Sequence, residues 1–199
     1  MILNYNDYST VMRLYNKIKD YKAIQHIVIV DNCSTDGSYE QLKKDCSCVV
    51  LRTEKNGGYS YGNNYGIQWL QKNVPCDYYM VSNPDVIFEE NFVREIIRAM
   101  DENPSIGIMS GVMLDREGKA AKSQFGYTTT YSKALLECFY LYRRYQMHDA
   151  KHQVNPTKKI NYVQVIWGSL FVISDAAYRA IDGFDENTFL YHEENIISE

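Results

Sequence analysis

Ile27-Val28-Ile29-Val30-Asp31-Asn32-Cys33-Ser34-Thr35-Asp36-Gly37-Ser38 joins two kinds of chain. The first four residues are β-branched with no polar alternation, which suits a strand buried on both faces. The polar half that follows holds a glycine and short side chains that bond nearby backbone, which is the chemistry of turns and helix caps. Taken alone, Asp31 to Ser38 reads equally as a plain turn and cap, with Asp36 or Ser38 capping the next helix.

The same unit repeats on both sides. Ile2-Leu3 begins a strand that ends in Asn4-Tyr5-Asn6. Thr10 to Asp20 predicts a helix with Val11, Leu14, Tyr15 and Ile18 on one face. Val49-Val50-Leu51 predicts a third strand, leading to Asn56-Gly57-Gly58 and then Gly62-Asn63-Asn64-Tyr65-Gly66. Asn64 to Lys72 reads as a helix, and Tyr78 to Ser82 as a fourth strand ending in Asn83-Pro84-Asp85. Phe92 to Asp101 is a further helix, stopped at Asn103-Pro104, and Ile106 to Met109 a strand. Such alternation implies an open, mostly parallel α/β sheet flanked by helices with right-handed crossovers. Ligands of such sheets bind beyond the C-terminal strand ends. Four polar strand ends on one edge therefore mark where a site would lie. An Asp there can accept from a ribose or base, glycines let backbone approach closely, and the Asp85 carboxylate can hold a divalent cation against a diphosphate.

The second half is less regular. Asp115 to Gly118 looks like a turn. Gln124 to Asn155 is aromatic and basic with weak periodicity, readable as a helical excursion around Leu135 to Met147 or as a loop. Tyr162 to Ile173 reads as a strand with Trp167-Gly168 in its middle. After Glu193-Glu194 the sequence runs to Glu199 without a closing helix, so the expectation is a domain incomplete at its C-terminus.

Bulk properties set the class. At 199 residues one domain can bury a sizeable core. A formal charge of -4 argues against a nucleic-acid partner, which would favour a basic face. Tyr is frequent at 18 residues, which fits core and rim packing. Five cysteines, with one C-x-C at Cys46 and Cys48, form no zinc pattern and read as free thiols in a reducing compartment. No apolar run approaches the ~18 residues that span a bilayer. Met1 to Asn6 turns polar at once and does not read as a signal peptide.

In order along the chain these segments resemble family 2 glycosyltransferases. Ile27 to Ser38 is similar to their "VVDNgSxDgS" segment, and Asn56-Gly57-Gly58 through Gly66 to "N-x-G…G-x-N-x-G". Asn83-Pro84-Asp85 resembles the "N-P-D" form of the D-x-D motif of the rhamnosyltransferase-like branch. Gly183-Phe184-Asp185-Glu186 with Phe189 to Glu194 resembles "GFDE-x-FF-x-Y-x-ED". The resemblance runs from Leu3 to Glu194.

It implies a GT-A fold in a single domain over 1–199, with a nucleotide-binding half at 1–110 and an incomplete donor-sugar and acceptor half at 111–199. The implied activity is inverting transfer of a sugar from a nucleotide-diphosphate donor, a UDP- or dTDP-sugar, to a hydroxyl of a saccharide or lipid-linked saccharide. By resemblance Asp85 ligates Mg2+ or Mn2+. Asn4, Tyr5, Asn6, Asp31, Asn32, Ser34, Asn56, Asn63, Asn64, Asn83, Trp167 and Gly168 line the donor, and Glu194 or its neighbour Glu193 is the base. Trp167 could stack on a sugar or be an ordinary buried Trp, Glu193-Glu194 could be a solvated acidic pair, and His192 reads as a surface or packing residue. The family setting implies surface-polysaccharide assembly in the cytoplasm at the inner membrane face, with peripheral membrane contact through a further C-terminal part. Three departures stand out: Glu194 stands where most members have Asp, Ile196 replaces the last acid of "E-D-x-D", and Asn63 stands where Arg is common, although the rhamnosyltransferase-like branch also has Asn there. A non-catalytic nucleotide-sugar-binding module or inactive fragment is the alternative. A sugar nucleotidyltransferase lacks its Gly-rich basic loop after the first strand.

Overall fold

The computed structural model describes residues 1–114, 117–118, 125–126, 158–163 and 165–187. Glu193, Glu194, His192 and the Leu135 to Met147 segment lie outside the described residues. The chain divides into two compact units, Met1–Gly111 with Gly168–Glu193, and Val112–Trp167 with Glu194–Glu199.

The first unit is built on a sheet that begins with β1 (Ile2–Asn4), β2 (Val28–Asp31), β3 (Val49–Arg52) and β4 (Tyr78–Ser82). It is completed by β5 (Ile108–Met109) and, after two short strands of the second unit, β8 (Leu170–Ser174). The spatial order is β3-β2-β1-β4-β8-β5. The first four strands are parallel, and β8 runs antiparallel to both β4 and β5. The expected open, mostly parallel sheet is present, with this antiparallel insertion. Val28, Ile29 and Val30 are at most 1% exposed, as a strand covered on both faces requires.

Five helices of this unit are described. α1 (Tyr8–Ile18) starts where the Asp7 carboxylate accepts from the Thr10 amide at 3.1 Å, and it buries Val11, Leu14, Tyr15 and Ile18. α2 (Ser38–Asp45) has Gly37 at its N-cap with φ 81°, where a side chain would be strained. The Asp36 carboxylate caps one position earlier than a standard cap, accepting from the Ser38 amide at 3.0 Å. α3 (Gly58–Asn73) starts well before the expected Asn64. Its glycines are packing positions: a β-carbon at Gly62 would overlap Leu3, and one at Gly66 would overlap Met1 and Val30. α4 (Glu90–Glu102) buries Val93, Ile96, Ala99 and Met100. α5 (Asp175–Ala180) is capped by Ser174, which accepts from the Ala177 amide at 3.2 Å.

In the second unit β6 (Phe125–Gly126) pairs antiparallel with β7 (Val165–Ile166). The single strand expected over Tyr162 to Ile173 is therefore two, β7 and β8, separated by a turn at Gly168-Ser169. Glycine in a run of β-formers marks the break.

Candidate functional site

Strand register brings the polar residues together. Asn4 at the end of β1 sits opposite Asp31 at the end of β2, and Asp31 sits opposite Arg52 at the end of β3. Asn4 and Asp31 form one buried knot with Ser34 and Ser38. Asn4 donates through Nδ2 to Asp31 Oδ2 at 2.8 Å and also lies within 3.3 Å of Ser34 Oγ and 3.0 Å of Ser38 Oγ. Asp31 Oδ1 accepts from the Ser34 amide at 2.9 Å. Ser34 Oγ accepts from the Asn6 amide at 2.9 Å, and Asn6 Oδ1 from the Thr35 amide at 2.8 Å. The turn needs Asn6 at φ 54° and Cys33 at φ 62°, a region costly for non-glycine residues and held by these bonds. Asn4 and Asp31 are both 0% exposed, so they spend their polar atoms mainly on shaping the loops above them.

A second layer joins this knot to α3. Asn32 donates to Asn56 Oδ1 at 2.9 Å and to the Gly58 carbonyl at 3.0 Å, and accepts from Thr53 Oγ1 at 3.2 Å. Asn56 Oδ1 also accepts from the Gly58 amide, which fixes the start of the helix. Further along α3, Asn63 is fully buried with neither amide atom partnered, and Ser60 Oγ one turn earlier is also unpartnered. Buried polar atoms left unpaired cost about 1–3 kcal/mol each, so this stretch of α3 holds unspent hydrogen-bonding capacity.

Asn64 is spent differently. Its Nδ2 donates to the Phe184 carbonyl and to Glu186 Oε1, both at 2.8 Å. Its Oδ1 accepts from the Tyr178 hydroxyl at 2.8 Å and the Phe184 amide at 2.9 Å. All four bonds of the amide are met within the chain, which pins Gly183 to Glu186 against α3. Burial pushes the Tyr178 hydroxyl up, so it stays a donor to Asn64.

On the other side of β1, Ser82 ends β4. The Asn83 amide donates to the Ser169 carbonyl at 2.8 Å, and the Tyr59 hydroxyl of α3 donates to the Gly168 carbonyl. The Gly168-Ser169 turn thus lies beside Asn83-Pro84-Asp85. Asp85 is exposed, and its carboxylate has no hydrogen-bond or ion-pair partner among the described residues. No group of three or more His, Cys, Asp or Glu is placed to hold a metal among the described residues. A lone hard carboxylate fits Mg2+ or Mn2+ where the remaining ligands are phosphate oxygens and water. Tyr5 is exposed beside the knot, at 49%. Trp167 is exposed at 42% and belongs to the second unit, so it is no buried core Trp.

Arg52, Thr53 and Tyr59 complete the edge without being among the candidate site residues read from sequence, and Ser38, expected only as a helix cap, joins the knot through Asn4. Arg52 carried a readable signal, since it stands at a strand end like the residues that were chosen.

The sequence matches the model of the family "Glycosyl transferase family 2" over residues 1–161. It is 25% identical over 197 residues to the low-salt glycan biosynthesis hexosyltransferase Agl10 of Haloferax volcanii, covering 98% of this chain and 58% of that one. It is 23% identical over 181 residues to the N-acetylglucosaminyl-diphospho-decaprenol L-rhamnosyltransferase of Mycobacterium tuberculosis, covering 84% and 58%. The chain thus spans less than two thirds of the length of each relative. The fold superimposes on the mannosyltransferase PcManGT from Pyrobaculum calidifontis, solved with GDP-Man and Mn2+, with a TM-score of 0.64 at 10% identity, covering 98% of this chain and 49% of that one. At that identity the likeness speaks for the fold alone.

Proposed function

The chain belongs to glycosyl transferase family 2, and on that premise we propose that it moves a sugar from a nucleotide-diphosphate donor to an acceptor hydroxyl in glycan assembly. The observation that carries this reading is the single edge where the loops after β1, β2 and β4 converge, with a buried polar knot on one side and the unpartnered Asp85 on the other. Strands about 4.8 Å apart put β2 and β4 about 10 Å apart across β1, with Ser82 level with Ile2 and Asp31 level with Asn4, room for a nucleoside to lie across β1.

Each residue then has a task. The Asn4–Asp31 knot holds the Cys33 to Gly37 loop that meets the base, with Tyr5, Asn6, Asn32, Ser34 and Asn56 shaping its walls. Asn63 offers a buried amide to the donor side, while Asn64 positions the Gly183 to Glu186 segment. Asn83 and Gly168 flank Asp85. A divalent cation held there would neutralise charge on the leaving diphosphate. Trp167 is assigned to the sugar and Glu194, or Glu193, to deprotonating the acceptor hydroxyl. Donors of the UDP and dTDP classes are the first to test. Saccharide or lipid-linked acceptors, with work at the cytoplasmic face of a membrane, complete the proposal. No helix among the described residues is long and apolar enough to cross a membrane.

A second reading is donor binding without transfer, favoured by Ile196 in place of the last acid of the family's E-D-x-D run. Release of nucleoside diphosphate from UDP- and dTDP-sugars, measured with and without a lipid-linked saccharide, separates the two. Transfer predicts acceptor-dependent release that Glu194→Gln abolishes while donor binding persists. Binding with no release under any acceptor supports the second reading. Full turnover by Glu194→Gln removes the base assignment.

A further inference from the structure

We propose that Arg52 is a positioning residue of the donor site, clasping the Asp31 loop from outside and setting the shape that the nucleotide base meets. The proposal rests on the donor-site reading above.

Arg52 closes β3 directly opposite Asp31. Its guanidinium reaches every part of the loop's frame. Nε lies 3.9 Å from Asp31 Oδ1, one amino group donates to the Ser34 carbonyl at 3.1 Å, and the other to Glu40 Oε1 at 3.1 Å. The cation also stacks over the Tyr39 ring at 5.0 Å from its centre. One planar fork therefore spans the strand end, the loop backbone and the first turn of α2, a geometry that a lysine point charge does not reproduce.

Asp31 needs such a partner. Its side chain is 0% exposed, whereas that of Arg52 is 38% exposed. A buried carboxylate is tolerated when hydrogen-bonded and facing a cation, and Arg52 is the cation in its recorded ion pair. Inside, Asp31 holds the Ser34 amide; outside, Arg52 holds the Ser34 carbonyl. The two peptide groups flanking Ser34 are thus each held, one by Asp31 and one by Arg52, next to Cys33 in its left-handed conformation. Removing the outer grip frees the loop without opening the core. The bond to Glu40 is peripheral, since the Glu40 side chain is 65% exposed and exposed pairs contribute little.

The experiment compares wild type, Arg52→Gln, Arg52→Lys and Glu40→Gln. Calorimetry measures binding of UDP, dTDP and GDP and their monophosphates with and without Mn2+, alongside thermal unfolding of each variant. For whichever base binds wild type, Arg52→Gln weakens the mono- and diphosphate by the same factor, about tenfold, with or without Mn2+. Arg52→Lys restores part of the loss, Glu40→Gln binds as wild type, and all three variants keep a cooperative unfolding transition. Unchanged binding by Arg52→Gln overturns the proposal, as does a loss confined to diphosphates, which would mean phosphate electrostatics. If wild type binds no nucleotide, the donor-site reading itself fails, and that result is distinct from either of these.

Discussion

Asp85 and Asn64 are both polar residues of the same edge, yet they do opposite things. Asp85 is exposed and unpartnered, so Asp85→Asn should leave stability within about 0.5 kcal/mol of wild type. Asn64 is buried with four bonds to residues more than a hundred positions away. Asn64→Ala strands the Phe184 amide and carbonyl and the Tyr178 hydroxyl, and should cost about 3 kcal/mol in urea unfolding. An Asn64→Ala loss below about 1 kcal/mol would mean the Gly183 to Glu186 segment is not held this way. The family resemblance assigns Asp85 to the metal and Asn64 to the donor, because motif positions carry no information on which side chains are already bonded within the chain. Which Asn turns inward to the chain depends on contacts such as Asn64 to Phe184 that no local pattern encodes. Arg52 is hidden for the complementary reason: acids, amides and glycines at strand ends point to a ligand, whereas a cation there points to one only once its buried partner Asp31 is known.

At the scale of elements, the strands of the first half were legible, whereas the start of α3, the break between β7 and β8 and the helix α5 were not. β2 declares itself through a continuous β-branched run, and α1 through its four-residue apolar face. α3 hides its first turns because Gly57, Gly58 and Gly62 read as loop; tertiary packing onto β1 and β2 overrides helix propensity there. Gly66→Ala tests this. Alanine gains about 1 kcal/mol of helix propensity, but its β-carbon would overlap Val30, which is 0% exposed and stiff at χ1. Overpacking of about 1–3 kcal/mol should win, and the variant should unfold at lower urea; a gain in stability would show that α3 can lift off the sheet.

The junction of α2 and β3 gives a pH prediction. Burial pushes the Cys48 thiol up to about 12 from an ordinary 9.0. The folded chain keeps this proton where the unfolded chain has released it. Stability is therefore full below about pH 9 and falls as pH climbs from there toward 12. Tyr78, hydrogen-bonded to Asp101 and also pushed up to about 12, adds to the fall in the same direction. Urea unfolding at pH 8 and pH 10.5 should show the loss, and Cys48→Ala should reduce its slope. Equal slopes in both proteins would place Cys48 in a more open site.

For the molecule as a whole, a polar knot at the ends of β1 and β2, clasped by Arg52 of β3, shares one sheet edge with the Asp85 carboxylate after β4. On the proposed reading the edge between them is a nucleotide-sugar site, with Asp85 the metal ligand among the described residues. The measurement that bears on this most directly is calorimetric binding of UDP- and dTDP-sugars to wild type and Asp85→Asn, each with and without Mn2+. The account predicts that Mn2+ tightens wild-type binding at least about tenfold, roughly 1.4 kcal/mol, and that Asp85→Asn loses this gain while unfolding like wild type. Absence of metal-dependent binding of any nucleotide, or an Mn2+ gain that survives Asp85→Asn intact, would contradict it.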